Sequence, residues 1–125
     1  MPFFIIAGAI NAALSVALGA FGDHLLERKL SEKYIAIWET AVQYQMFHAV
    51  GLLAIGILSS EAILGNHPKL RLAGYLILAG IIIFSGSLYV LSLSGIGVLG
   101  AITPIGGVAF IAGWIMFIVS LLQQR

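Results

Sequence analysis

The chain contains no cysteine and very few charged residues. Of its 125 residues, 9% are charged and 61% are hydrophobic. The absence of cysteine excludes disulfides, thiolate metal sites and a cysteine nucleophile, and it leaves the redox compartment open. About a quarter of the residues in a soluble domain are charged, so this chain has too little polar surface to coat a water-soluble globule. The sequence therefore predicts that a lipid bilayer is its main solvent.

Net charge is also small. The formal value of +1 gives no basis for predicting a nucleic-acid partner. No lysine or arginine precedes Phe3, so the first apolar stretch lacks the basic region of a secretory signal peptide. We interpret this stretch as a membrane span.

Four long apolar stretches follow one another along the chain, and about 20 apolar residues are enough to cross the hydrocarbon of a bilayer. We predict an all-α fold, a membrane-embedded bundle of four transmembrane helices. It forms a single integral membrane domain over residues 1–125, with spans at about 3–22, 38–60, 70–93 and 104–122. Four spans place both termini on one side of the membrane.

Short polar or glycine-rich segments predict where the helices end. Gly22 is expected to end the first helix, and Ser31 to be the N-cap of a second helix that runs to about Ser60 and projects past the bilayer. An apolar turn over 94–103 precedes Pro104, which suits the first turn of the fourth helix. The aromatic residues expected at the membrane interface are Tyr34, Trp38 and Tyr44.

Basic residues at the span ends do not favour either orientation. The two groups, on opposite sides, are Arg28, Lys29 and Lys33, and Lys69, Arg71 and Arg125. Because orientation follows the excess of lysine and arginine, this tie leaves inside and outside open.

Polar side chains within the spans are the candidates for a buried polar core. His48 lies about four turns into the second helix, and an ionisable group inside a bilayer is a functional candidate. The favoured interpretation is a structural histidine whose ring nitrogens find partners. Asn11 is expected to form a hydrogen bond to another helix. The candidate polar-core residues are His48, Asn11, Tyr44, Gln45, Ser85, Ser87 and Tyr89.

A second polar cluster is expected on the side of the first loop. Its candidate residues are Asp23, His24, Glu39 and Gln43. Metal binding requires several converging ligands, and the spacing of these residues matches no metal motif, so we predict no metal site. Haem needs a pair of deep histidines, and only His48 is deep enough. No nucleophile–base pair stands at a credible spacing, so no catalytic residue and no cofactor are predicted.

Several motifs occur in order and cover nearly the whole chain. They are Gly19-Ala20-Phe21-Gly22 followed by His24, Tyr44-Gln45 with His48-Ala49, Phe84-Ser85-Gly86-Ser87-Leu88-Tyr89, and Thr103-Pro104-Ile105-Gly106-Gly107 followed by Gly113-Trp114. In these motifs the chain resembles the family called domain of unknown function 423, which comprises small four-span membrane proteins. Asp23 departs from the pattern, since a small residue is expected there. The resemblance implies a multi-pass plasma-membrane protein and supplies no activity, substrate or catalytic residue.

These observations favour a non-enzymatic protein with a structural or membrane-stabilising role. Its expected partners are membrane lipids and further copies of itself, and any other protein partner is left open. The alternative is a transporter or channel for protons or a small solute, with His48 and Glu39 as candidate gates. A third possibility, an enzyme acting on a lipid or quinone, requires polar groups that converge on a lateral pocket.

Overall fold

Four helices, each long and apolar enough to span a membrane, make up the computed structural model, which describes residues 2–123. The first helix runs over Phe3–Phe21 and continues as a π-helical turn, Gly22–Leu26. The second helix is Glu32–Leu58 and the fourth is Leu99–Leu122. The third comprises Pro68–Gly80, a π-helical segment Ile81–Ser85, and Gly86–Ser94. The prediction of an all-α bundle of four membrane helices is confirmed. Arg125, counted among the basic residues above, lies outside the described residues.

The helices pack in chain order, with the first against the second, the second against the third, and the third against the fourth. Glycines allow the closest approaches. A Cβ added at Gly8 would lie 2.9 Å from the carbonyl oxygen of Ala49, and one added at Gly56 would lie 2.7 Å from the backbone nitrogen of Ile5. Such contacts between backbones are typical of helices that associate in lipid. The first and second helices are therefore held by close backbone packing.

The third and fourth helices are joined in the same way. Gly106 lies against the backbone of Phe84, and Gly113 lies against Ile77. In contrast, the second and fourth helices meet through side chains, because the indole of Trp114 occupies the space above Gly51. The fold therefore contains two tight helix pairs and one wider, aromatic contact between the second and fourth helices.

The second helix begins as predicted. Ser31 is its N-cap, with a side chain that accepts a weak hydrogen bond from the backbone nitrogen of Tyr34 at 3.5 Å. About 20 residues separate Glu39 from Ser59, which corresponds to roughly 30 Å of helix, the thickness of the hydrocarbon layer. We therefore expect the hydrocarbon layer to cover the second helix from about Glu39 to Ser59.

Three expectations about helix ends and interface residues are wrong. Gly22 does not end the first helix; it keeps helical angles, and its missing side chain leaves room for the indole of Trp38. Trp38 is only 3% exposed and donates a hydrogen bond to the carbonyl of Leu18, so it is a packing residue rather than an interface anchor. The fourth helix begins at Leu99, because Gly95, in the left-handed conformation, already ends the third helix.

Pro104 consequently lies inside the fourth helix rather than in its first turn. A proline removes one backbone hydrogen bond from a helix. Here the missing bond would go to the carbonyl of Gly100, near the start of the helix. The apolar residues before Pro104 extend the helix toward the loop, which reduces the connector to four residues, 95–98.

Candidate functional site

His48 is the centre of the best-defined polar site, and both nitrogens of its ring have partners. Nδ1 lies 2.8 Å from the backbone carbonyl of Tyr44, one turn earlier in the same helix. Nε2 accepts a hydrogen bond of 3.1 Å from the indole Nε1 of Trp114, on the fourth helix. A carbonyl can only accept and an indole N–H can only donate. The two contacts together therefore select the neutral ring that carries its proton on Nδ1.

Aromatic rings enclose this histidine. The imidazole stacks on Phe110 with a centroid distance of 3.6 Å and an interplanar angle of 15°. Tyr44 lies nearly parallel to the imidazole, at 6.2 Å and 11°. His48 itself is 5% exposed. His48 therefore belongs to a group of nearly parallel rings, Tyr44, His48 and Phe110, which we call the aromatic wall. It also forms hydrogen bonds through both ring nitrogens.

A groove of about 570 Å³ runs along this wall between the second and fourth helices. Its floor includes Phe84 of the third helix, and every residue that lines it belongs to the middle of a helix rather than to a loop. We call it the lateral groove; its lining residues are Gln43, Tyr44, Phe47, His48, Phe84, Gly107, Phe110, Ile111 and Trp114. The lateral groove therefore opens on the flank of the bundle, at the depth of the hydrocarbon.

A separate set of hydrogen bonds connects the first three helices. The amide nitrogen of Gln45 donates to Asn11 Oδ1 at 3.0 Å, and the hydroxyl of Tyr89 donates to Gln45 Oε1 at 2.6 Å. Asn11 also donates to the carbonyl of Ala7 at 2.9 Å. The predicted interhelical hydrogen bond of Asn11 is present. We call Asn11, Gln45 and Tyr89 the amide–tyrosine relay.

The two serines of the predicted core contact other helices. Ser85, at the end of the π-helical segment, donates to the carbonyl of Ala41 on the second helix at 2.8 Å. The hydroxyl of Ser87 lies 2.6 Å from that of Thr103 on the fourth helix. Both serines are buried. They join the third helix to the second and to the fourth, and neither serine lines the lateral groove.

The polar-core candidates therefore divide into three groups rather than one. Of the other polar-core candidates, Asn11, Ser85, Ser87 and Tyr89 form no hydrogen bond to His48 within residues 2–123, because its ring faces the fourth helix. Sequence reasoning missed its actual partners, Trp114 and Phe110, and also missed Thr103. One feature of the sequence could have identified Trp114 as a partner. Tryptophan usually lies at the membrane interface, whereas Trp114 follows Gly113 in the middle of an apolar run.

The residues of the predicted loop-side cluster do not come together. Asp23, His24, Glu39 and Gln43 are all exposed, and no hydrogen bond or ion pair joins them within residues 2–123. Over the same range, no three histidine, aspartate or glutamate residues lie close enough to hold a metal ion. Gln43 lies instead in the lining of the lateral groove.

A second cavity, of about 460 Å³, lies at the opposite end of the bundle. It separates the start of the first helix from the connector between the second and third helices. Its polar lining residues are Ser59, Ser60, Glu61, Asn66, Arg71 and Tyr75. None of the predicted site residues lines it.

Several known proteins are similar to this chain over nearly its whole length. It is 54% identical to the UPF0382 membrane protein YwdK of Bacillus subtilis, with 96% of each chain covered. It is 53% identical to the UPF0382 membrane protein SSP2132 of Staphylococcus saprophyticus, over 96% of this chain and 97% of that one. It is 51% identical to SERP0230 of Staphylococcus epidermidis, over 98% of each. No solved structure matches.

The family described as "Protein of unknown function (DUF423)" matches residues 18–107. This range includes the second and third helices and the loop-side start of the fourth. The near full-length relatives carry the name of membrane proteins, in agreement with the four apolar helices. The chain is a multi-pass membrane protein and belongs to the DUF423 family.

Proposed function

We propose that this protein is a non-enzymatic component of the plasma membrane with a structural or membrane-stabilising role. The observation that carries the proposal is the complete pairing of its buried polar atoms. Within residues 2–123, no buried side-chain nitrogen or oxygen lacks a hydrogen-bond partner. A catalytic group needs a free lone pair or proton directed at a substrate. The buried groups are instead bonded within the bundle. Some join helices, and the buried Ser15, Ser92 and Ser120 bond to carbonyls of their own helix.

The bonding of His48 supports the same proposal. The ring already donates to Tyr44 and accepts from Trp114. To take up a proton, Nε2 would have to give up the Trp114 hydrogen bond and place a charge inside the hydrocarbon. A charge at the centre of a membrane helix costs on the order of 2.5–3.5 kcal/mol on insertion scales. A structural role for His48 requires neither change.

The alternative, transport of protons or a small solute, predicts a water-filled path that reaches His48 from a membrane face. The cavity beside His48 is the lateral groove, lined by residues from the middle of helices and mostly aromatic. Glu39, the other proposed gate, is exposed and does not line it. These features favour a role within the lipid phase over passage across it.

Membrane lipids are the proposed partners of the outer surface, and self-association is proposed as well. The exposed faces of the first and fourth helices carry large apolar residues such as Ile10, Val16, Val108 and Ile111. The glycines that pack most closely face inward. Lipid chains suit such a surface, whereas tight helix pairing between copies favours small residues.

Flux through purified protein in liposomes tests the proposal. We expect proton and small-ion flux no greater than in protein-free vesicles, for wild type and for His48→Ala. The matched control is His24→Ala, which replaces an exposed histidine. Flux that is present in wild type and in the control, but is abolished by His48→Ala in a folded protein, would make this a transport protein. Membrane fractionation of cells that produce the full chain tests the assignment to the plasma membrane.

A further inference from the structure

Two polar side chains of the lateral groove have no partner within the described part of the chain. Tyr44 and Gln43 line the groove, and neither the hydroxyl of Tyr44 nor the amide of Gln43 forms a hydrogen bond among residues 2–123. Gln43 lies one helical turn, about 6 Å, below Glu39 and so inside the hydrocarbon boundary. A polar group left unpaired in an apolar medium is costly, at roughly 1–3 kcal/mol judged from protein mutants. The groove therefore presents hydrogen-bond donors where lipid tails cannot accept them.

The side chains beside these donors are mostly aromatic. The imidazole of His48 is nearly parallel to both Tyr44 and Phe110, at 11° and 15°. Phe84 and Trp114 also line the groove. Planar rings pack against aromatic side chains in offset or edge-to-face arrangements that contribute beyond the area they bury. The volume of about 570 Å³ lies in the range of small-molecule sites.

We propose that the lateral groove binds a membrane-soluble ring compound with carbonyl oxygens, that is, the head group of a quinone with an apolar tail. The ring packs on the aromatic wall, the Tyr44 hydroxyl and the Gln43 amide donate to the carbonyl oxygens, and the tail extends into the bilayer. This binding site goes beyond the structural role proposed above, and either proposal can fail without the other.

Other occupants fit the groove less well. Among residues 2–123, no lysine or arginine lines it, so the phosphate of a phospholipid would find no cation from this part of the chain. An acyl chain, or an apolar helix from a second copy, would bury Gln43 and Tyr44 without accepting their hydrogen bonds. A ring that carries carbonyl oxygens fits both the aromatic lining and the donors.

Titration with decylubiquinone in phosphatidylglycerol–phosphatidylethanolamine vesicles tests the assignment. Trp114 lines the groove, so we expect saturable quenching of its fluorescence by the bound ring. Tyr44→Phe removes one donor and should raise the half-saturating mole fraction about three- to tenfold, the range expected for one hydrogen bond. The matched control Tyr75→Phe, which alters an exposed tyrosine outside the groove, should leave it unchanged.

A second pair of variants keeps the test independent of hydrogen bonding. A Cβ at Gly107 would meet only the Phe84 ring, at 3.9 Å, so Gly107→Leu should fold and fill the groove, abolishing saturable quenching. Gly86→Leu, at a helical glycine with nothing within 4 Å, should bind as wild type does. Decylbenzene, a ring without oxygens, should not compete. Quenching that does not saturate, that survives Gly107→Leu, or that decylbenzene displaces equally well would overturn the proposal.

Discussion

Replacement of Gln45 by leucine should destabilise the bundle. Gln45 is 4% exposed and joins Asn11 on the first helix to Tyr89 on the third. A side-chain hydrogen bond between membrane helices is worth about 0.6 kcal/mol on average and up to about 1.7. The loss of two such bonds, at nearly unchanged side-chain volume, should lower the free energy of unfolding by roughly 1–3 kcal/mol.

Gln43→Leu is the matched control, because it makes the same chemical change two residues earlier in the same helix. Gln43 is exposed and has no hydrogen bond among the described residues. Its replacement should therefore leave stability unchanged or raise it slightly. The difference between the two variants isolates the contribution of the relay from any general effect of replacing glutamine with leucine.

Reversible unfolding in mixed micelles, followed by far-ultraviolet circular dichroism, provides the measurement. A double-mutant cycle of Gln45→Leu with Tyr89→Phe should give a coupling energy of about 0.6–1.7 kcal/mol. If the triple variant that adds Asn11→Leu recovers part of the loss, unsatisfied polar groups rather than lost packing explain it. Equal stability of Gln45→Leu and Gln43→Leu would refute this account of the relay.

Two further predictions concern other contacts. Gly106→Ala places a methyl group against the backbone of Phe84 and should lower the free energy of unfolding by about 1–3 kcal/mol. The control Gly107→Ala makes only ordinary contacts with the Phe84 ring and should have little effect. Thermal unfolding in detergent measures both variants. Nitrogen-15 spectra of labelled His48 at neutral pH should show a proton on Nδ1 and none on Nε2, as required by its bonds to Tyr44 and Trp114. A spectrum with the proton on Nε2 would contradict the assigned hydrogen bonds.

Apolar run length was enough to predict the helices, because a helix that crosses a bilayer must satisfy its backbone internally and present apolar residues to lipid. The N-cap at Ser31 was also predictable, since capping depends on neighbouring residues. The prediction that the fourth helix starts at Pro104 was wrong. A proline near the beginning of a helix removes only one bond, and it does not prevent apolar residues before it from extending that helix.

The partners of the polar side chains were not predictable in the same way. Gln45 and His48 are three residues apart and lie on nearby faces, yet Gln45 contacts the first and third helices while His48 contacts the fourth. Helical periodicity gives the direction of a side chain along its own helix. The identity of the opposing residue depends on the axial offset between neighbouring helices. That offset is determined here by contacts such as Gly8 on Ala49 and Gly106 on Phe84.

The distribution of glycines also explains why a groove exists. Close backbone contacts draw the first helix to the second and the fourth to the third, whereas the second and fourth helices are kept apart by aromatic side chains, among them Trp114 above Gly51. The amide–tyrosine relay lies in the first three helices, and the lateral groove lies between the second and fourth. Stability and binding should therefore respond to different variants. Gln45→Leu should lower the free energy of unfolding and leave the half-saturating quinone fraction unchanged. Tyr44→Phe should raise the half-saturating quinone fraction and leave the free energy of unfolding unchanged.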